Sequence, residues 1–316
     1  MRDKFKNPIV VGMLALLCCM LWGSAFPCIK IGYQMFEIDG VGSQVLFAGY
    51  RFFLSGIFTF IIGCVLEKRV LTMKKSSVLP VFGQGILQTT LQYIFFYIGL
   101  AGTTASKGSI INASNAFVSI IAASIILKGE KFTRQKLIGC ILGMGGVVII
   151  NLTPGAWGDG FSFTGEGFVF LCAVAYGISS VTLKLIANKE SAITITAYQL
   201  LFGSSILIIL GLLLGGKVNW PGMKGMGLFF YLALLTTVAF SLWTTLIKYN
   251  PVGRIAVYGF SIPIFGVALS AILLGEEIFT IKNIFALILV SLGIIIVNRD
   301  TNTLNQIKHT KGCGLR

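Results

Sequence analysis

ASKGSIINASNAFVSIIAASIILKGEKFTRQKLIGCILGMGGVVIIN, residues 105–151, is a pair of apolar runs around a short charged break. Ala105 to Leu127 is mostly apolar, Lys128 to Lys136 carries the charges, and Leu137 to Ile150 is apolar again. A helix needs roughly 17 to 25 residues to cross a hydrocarbon core about 30 Å thick. Both runs reach that length if the second starts near Arg134, so the stretch predicts two membrane spans joined by a tight loop. The same passage then recurs. Shifted by 146 positions, Ala122–Glu130 lies on Ala268–Glu276 with Ala, Ser, Ile, Leu, Gly and Glu in common. One inserted residue then brings Thr133 onto Thr280, Gly146 onto Gly293 and Asn151 onto Asn298. The recurring Gly-Glu hinge and closing Asn mark an internal repeat.

Working outward, further apolar runs fall at about 8–33, 43–66, 79–100, 161–186, 192–215, 226–248, 253–274 and 279–298, which with the opening pair makes ten helices. The composition agrees: 55% of residues are hydrophobic and 11% charged, and mean hydropathy is +0.88. Soluble domains carry about 25% charged residues. The expected class is an all-α integral membrane protein. The net charge of +14 follows from topology rather than from a nucleic-acid partner. With the N-terminus in the cytoplasm, nearly all Lys and Arg fall on the inner side, and Lys107, Lys217, Lys224 and Lys282 fall outside. That is the positive-inside asymmetry, and it puts both termini of a multi-pass plasma-membrane protein in the cytoplasm.

Trp22, Gly23 and Lys30 of helix 1 align with Tyr176, Gly177 and Lys184 of helix 6. Five helices per unit is odd, so the second unit enters the membrane from the opposite side. The expected architecture is two inverted five-helix repeats, residues 1–152 and 153–298, followed by a polar cytoplasmic tail, 299–316. Inverted pairs place a binding site near the midplane between the halves.

Polar residues on helix faces point to where that site lies. Gln84, Gln88 and Gln92 stand four apart in helix 3 and form one stripe. Thr237, Ser241, Thr244 and Lys248 form its counterpart in helix 8, where an offset of 149 sets Gln88 on Thr237 and Gln92 on Ser241. Asn112, Asn115 and Ser119 line helix 4, matched by Tyr258 and Ser261 beside Pro263 in helix 9. Amides facing lipid are costly, so these residues face a neighbouring helix or a wet cavity. Interhelical glue, at about 0.6 kcal/mol per pair, accounts for any one of them. Four stripes in symmetric places favour a shared polar cavity. The candidate binding residues are Trp22, Arg51, Gln88, Gln92, Asn112, Asn115, Tyr176, Ser241, Tyr258 and Ser261. Gly139, Gly143 and Gly146 in helix 5 read as a small face for close helix contact.

Lys30 and Arg51 are charges within spans. Lys30 is near enough to the outer interface to snorkel. Arg51 is deeper and points into the bundle, with no Asp or Glu at mid-depth to pair with it. Pro27 predicts a bend in helix 1. The cysteines are scattered and the single histidine is His309, so no disulfide framework, zinc site or cofactor is read. Cys18 and Cys19 follow no small-residue cleavage site, and the Asn112 and Asn151 sequons fall in or at the edge of a span. An intramembrane enzyme would need a buried base or metal ligands, which the chain lacks. A scaffold or sensor would be expected to carry a soluble domain. The expected partners are a small-molecule substrate and the lipid bilayer, with the chain acting as a monomer or a homodimer.

The chain resembles the ten-helix, EamA-type members of the drug/metabolite transporter superfamily. The resemblance spans nearly the whole length and rests on Trp22-Gly-Ser, Arg51, the Gly129-Glu130 and Gly275-Glu276 hinges, Pro263 and the inverted units. It implies a secondary transporter, usually an exporter of amino acids or other small metabolites, with a central cavity lined by both halves. A lipid or lipid-linked metabolite flippase is the alternative. Four-helix relatives that export cationic drugs carry a membrane Glu in helix 1. Leu14–Phe26 has none, which favours a substrate bearing a carboxylate.

Overall fold

The computed structural model describes residues 4–102, 105–151, 162–274 and 281–313. Ten helical spans follow one another, and there is no strand among the described residues. The first two are α1 (Pro8–Met35) and α2 (Gly40–Glu67). Next, α3 is built from Lys75–Gly85, a π-helical segment Ile86–Leu91, and Gln92–Ala101. It is followed by α4 (Ala105–Ile126) and α5 (Arg134–Asn151). The second half opens with α6, a π turn Phe163–Gly167 running into Phe168–Ile186, then α7 (Ala192–Leu213) and α8 (Met223–Tyr249). Three pieces make α9: Val252–Ala256, a 3-10 turn Val257–Phe260, and Ser261–Leu274. The last, α10, spans Ile281–Cys313, so the helix continues through most of the polar segment read as a tail. Pro27 lies inside an unbroken α1. The second hinge, Gly275-Glu276, and its neighbour Thr280 lie outside the described residues.

Local chemistry sets the helix ends. Asn7 accepts the Ile9 amide at 2.9 Å just ahead of Pro8, and Ser191 accepts the Thr194 amide at 3.2 Å; both are N-caps. At the start of α6, Ser162 Oγ accepts from Gly165 N and Glu166 Oε2 accepts from Ser162 N, a reciprocal cap. Gly129 turns the α4–α5 hinge at φ +110°, where a Cβ would be strained.

The membrane reading is visible on α2. Arg51, Ser55 and Thr59 stand four apart and are buried, whereas Phe53, Ile57 and Ile61 stand four apart and are exposed. Polar groups face inward and apolar ones outward, the reverse of a soluble helix. Among the described residues, five helices are long and apolar enough to span a bilayer, with shorter apolar segments at Ile111–Ile126, Val252–Gly266 and Ile284–Arg299.

Packing follows a pseudo-two-fold exchange of α1–α5 with α6–α10. α1 packs on α8 and α9 while α6 packs on α3 and α4, and α2 packs on α7 as α5 does on α10. The equivalence reaches single residues. Gly23 of α1 lies against Phe265 and Gly266 of α9, and Gly177 of α6 lies against Val118 and Ser119 of α4. Along α2, Gly49, Gly56 and Gly63 meet Ile208, Leu201 and Ile193 of the antiparallel α7, and Gly42, one more step of seven away, meets Leu214 just past its end. A seven-residue spacing keeps one face on the partner helix. Gly139 and Gly146 touch α10 at Val297 and Val290, and Gly143 touches Phe260, so these three are the contact face expected of them.

Two matched contacts fix the register of α3 on α8. Ser55 Oγ donates to Ala233 O at 3.0 Å where the equivalent Gly203 meets Gly85 O, which gives an offset of 148. Thr237 Oγ1 donates to Ser55 O at 3.0 Å where Thr90 Oγ1 donates to Gly203 O at 2.9 Å, which gives 147. The π segment between Gly85 and Gln92 accounts for the change, since a π turn inserts one residue. The sequence offset of 149 is therefore displaced by one to two residues.

Candidate functional site

Aromatic rings from both repeats meet at the centre of the bundle. Trp22 packs edge-on against Trp243 at 4.9 Å and Phe240 at 5.7 Å, and Phe52 contacts Tyr93 at 4.5 Å and Phe240 at 6.3 Å. Tyr176 is within electrostatic range of Tyr93, Cys18 and Cys19, with the Trp243 indole beside it. The Arg51 guanidinium lies 4.4 Å from the centroid of the Phe52 ring, a cation–π contact, with the Tyr33 and Tyr93 hydroxyls in its field.

Several buried polar atoms of the bundle lack partners. Arg51 is only 4% exposed, and its Nε makes no hydrogen bond; nor do Tyr33 OH, Gln92 Oε1, Ser241 Oγ or Trp243 Nε1. Tyr33 faces the Tyr97 hydroxyl, and Trp243 the Tyr176 hydroxyl, without hydrogen-bonding geometry. Leaving a buried donor or acceptor unmade costs about 1–3 kcal/mol, and more for a charged group. Ion pairs recorded among the described residues join Arg69 to Glu67 and Lys136 to Glu130, neither of them at this centre. The arrangement can therefore receive a visitor with an acceptor for Arg51 and an apolar body for the rings.

The ten candidate residues do not gather in one place. Trp22, Arg51 and Tyr176 meet at the centre. Asn112 joins them through Cys172, whose Sγ lies 3.6 Å from Asn112 Oδ1 and which is in range of Tyr93. Gln92 and Ser241 each carry one of the unpartnered atoms. Gln88 stands apart because it accepts from Gln84 Nε2 at 2.7 Å, while Gln84 also donates to Ser179 O at 3.1 Å and accepts from Thr182. The bonds of Gln84 to Ser179 and Thr182 tie α3 to α6 and Gln88 is held to Gln84 within α3, so the lower part of the glutamine stripe serves as glue. The π segment beginning at Ile86 then breaks the four-residue spacing and separates Gln92 from that line. Asn115 meets α9 at Gly259, and Ser261 is buried in α9. Tyr258 lies toward the α1 N-terminus: its ring reaches Gly12, and it is in range of Arg254. The side chains of Lys30 and Lys107 lie outside the described residues.

Sequence reading missed how the helices are tied together at the end of the bundle carrying the N-terminus. This basic end is tied by charged groups on helix termini. Lys184 of α6 donates to the carbonyls of Ile247, Lys248 and Asn250 at 2.7, 3.0 and 2.7 Å, which are the last acceptors of α8. Glu130 accepts from the amides of Val252 and Gly253 at 2.6 and 3.0 Å, the first donors of α9. A cation on the carbonyl end of one helix and an anion on the amide end of the next match both macrodipoles. Lys248 donates to Glu190 O, Lys74 N donates to Glu190 Oε1 at 3.0 Å, and Asn250 reaches Phe5 O at 2.9 Å. Only the recurrence of Gly129-Glu130 hinted at this.

Comparison with known proteins agrees with this architecture. The EamA-like transporter family matches residues 10–152 and 163–299. An uncharacterized transporter of Bacillus subtilis, YvbV, is 26% identical over 289 residues, 90% of each chain. A probable amino-acid metabolite efflux pump of Salmonella typhimurium is 23% identical over 278 residues, 84% of this chain and 88% of the other. A solved structure titled "Crystal structure of protein" superposes with a TM-score of 0.79 at 16% identity, covering 92% of this chain and 97% of that one, and shows a shared fold. Two matches in tandem cover nearly the whole chain, and the ten helices form two inverted five-helix units: this multi-pass membrane protein belongs to the EamA-like transporter family.

Proposed function

We propose that the chain is a secondary active exporter of amino acids or related small metabolites that bear a carboxylate, working by alternating access in the plasma membrane with both termini in the cytoplasm. The observation that carries this is Arg51, a cation buried at the centre with an unpartnered Nε and no acidic partner among the described residues. A guanidinium presents parallel donors that match a carboxylate. The ring cluster around Trp22, Phe240 and Trp243 suits the rest of a small organic body. Trp22, Arg51, Gln92, Asn112, Tyr176 and Ser241 form the proposed binding site. The efflux-pump relative named above agrees in substrate class and direction. The test is uptake of radiolabelled leucine into inverted vesicles, run against lipid scrambling in liposomes carrying the purified protein. Leucine accumulation above empty-vector vesicles is expected. Scrambling without uptake would replace this reading with that of a flippase.

A further inference from the structure

Gln199 of α7 is fully buried, and neither its Nε2 nor its Oε1 makes a hydrogen bond. Such an amide is expensive, and a buried unmade group in a native fold calls for an explanation. The pseudo-two-fold supplies a context. Ser55 and Gly203 are equivalent by their contacts, and each stands four residues after the residue in question, so Gln199 is the structural counterpart of Arg51. Both members of the pair are buried polar side chains with donors unmade. One turn before Gln199, Thr196 bonds to Thr244 of α8 at 3.0 Å; one turn after it, Gly203 packs on Gly85 and Thr89 of α3. Thr89 is itself fully buried with an unpartnered Oγ1. The face of α7 bearing Gln199 thus sits between α3 and α8, in the half of the bundle nearer the basic end.

We propose that Gln199 is a second polar station for the transported solute, engaged by its carboxylate through Nε2–H when the basic end opens, as Arg51 engages it from the opposite side. This rests on the transport reading above and adds a site to it. A neutral amide holds a carboxylate less tightly than a guanidinium does, so the protein would load weakly at the basic end and bind more firmly at the other. In an inverted repeat each half offers its own station, and the two need not be chemically alike.

The experiment uses full-length protein in sided proteoliposomes, with radiolabelled leucine presented at one face or the other, and Gln199→Met and Gln199→Glu beside wild type. Met keeps the volume and removes the unmade amide. The expected result is a several-fold rise in KM for Gln199→Met from the basic face, little change from the opposite face, and a melting temperature no lower than wild type. Gln199→Glu is expected to raise the basic-face KM further, because a carboxylate there repels the solute. If Gln199→Met keeps the wild-type KM at both faces while its melting temperature rises, the amide is a tolerated packing defect and the inference is overturned. Wild-type protein that carries no leucine at either face would instead sink the transport reading, and this proposal with it.

Discussion

Lys184 and Arg51 are both cations set into this bundle, and the fold treats them in opposite ways. Lys184 spends all three of its donors on the carbonyls that end α8, and Glu130 matches it on the amides that begin α9. Arg51 is more deeply buried, yet its Nε is left unmade, as are Gln92 Oε1 and Ser241 Oγ. Polar groups that only hold helices together are expected to be satisfied, since the unmade alternative is costly. The Lys184 and Glu130 contacts behave as structure. The centre keeps polar capacity in hand, which is what a binding site requires before its ligand arrives.

The comparison can be broken most forcibly at the basic end. Lys184→Met removes three charge-assisted bonds and leaves the α8 carbonyls uncovered. A loss on the order of 3 kcal/mol is expected, read as a lower melting temperature in detergent, together with faster thiol labelling of a reporter cysteine placed at the buried Ile247. Unchanged melting and labelling would mean that the three contacts do not tie this end together. Gln84→Leu removes bonds to Gln88, Ser179 and Thr182, and is expected to cost about 1–2 kcal/mol without altering KM, because this part of α3 is glue. Glu130→Gln keeps one acceptor for the α9 amides but loses the charge, a change of about 1 kcal/mol on the scale of helix caps. Ser241→Ala sharpens the contrast from the other side. It removes an unmade hydroxyl, so stability is expected to stay level or rise slightly while transport falls; a clear loss of stability would place Ser241 with the structural bonds.

Much of this was legible before the fold was seen. The ten spans came from apolar length, the inverted halves from the repeat and the odd helix count, and the buried Arg51 from its depth without an acidic neighbour. The partition of the polar stripes was not legible. Gln84, Gln88 and Gln92 look alike at four-residue spacing, but the π segment at Ile86–Leu91 sets Gln92 off from Gln84, which bonds across to α6, and from Gln88, which accepts from Gln84. No residue type announces a π turn. Tyr258 looked equivalent to Asn112, but α9 breaks into a 3-10 turn at that residue and carries the ring toward Gly12. The tie made by Lys184 was hidden because its acceptors are backbone carbonyls, which a sequence does not display. The seven-residue glycine row in α2 is present in the sequence, but each glycine alone is ordinary in an apolar helix.

The central claim is that Arg51 is held unpaired in order to read a carboxylate. Purified wild-type, Arg51→Lys and Arg51→Ala proteins, each checked for a folded melting transition, should be compared for transport of leucine and leucinamide, which differ in the carboxylate alone. Wild type is expected to prefer leucine. Arg51→Ala should lose most of that preference, and Arg51→Lys should restore only part of it, because an ammonium lacks the parallel donors of a guanidinium. A folded Arg51→Ala protein that keeps the wild-type ratio of leucine to leucinamide would contradict the account and make Arg51 a structural cation like Lys184.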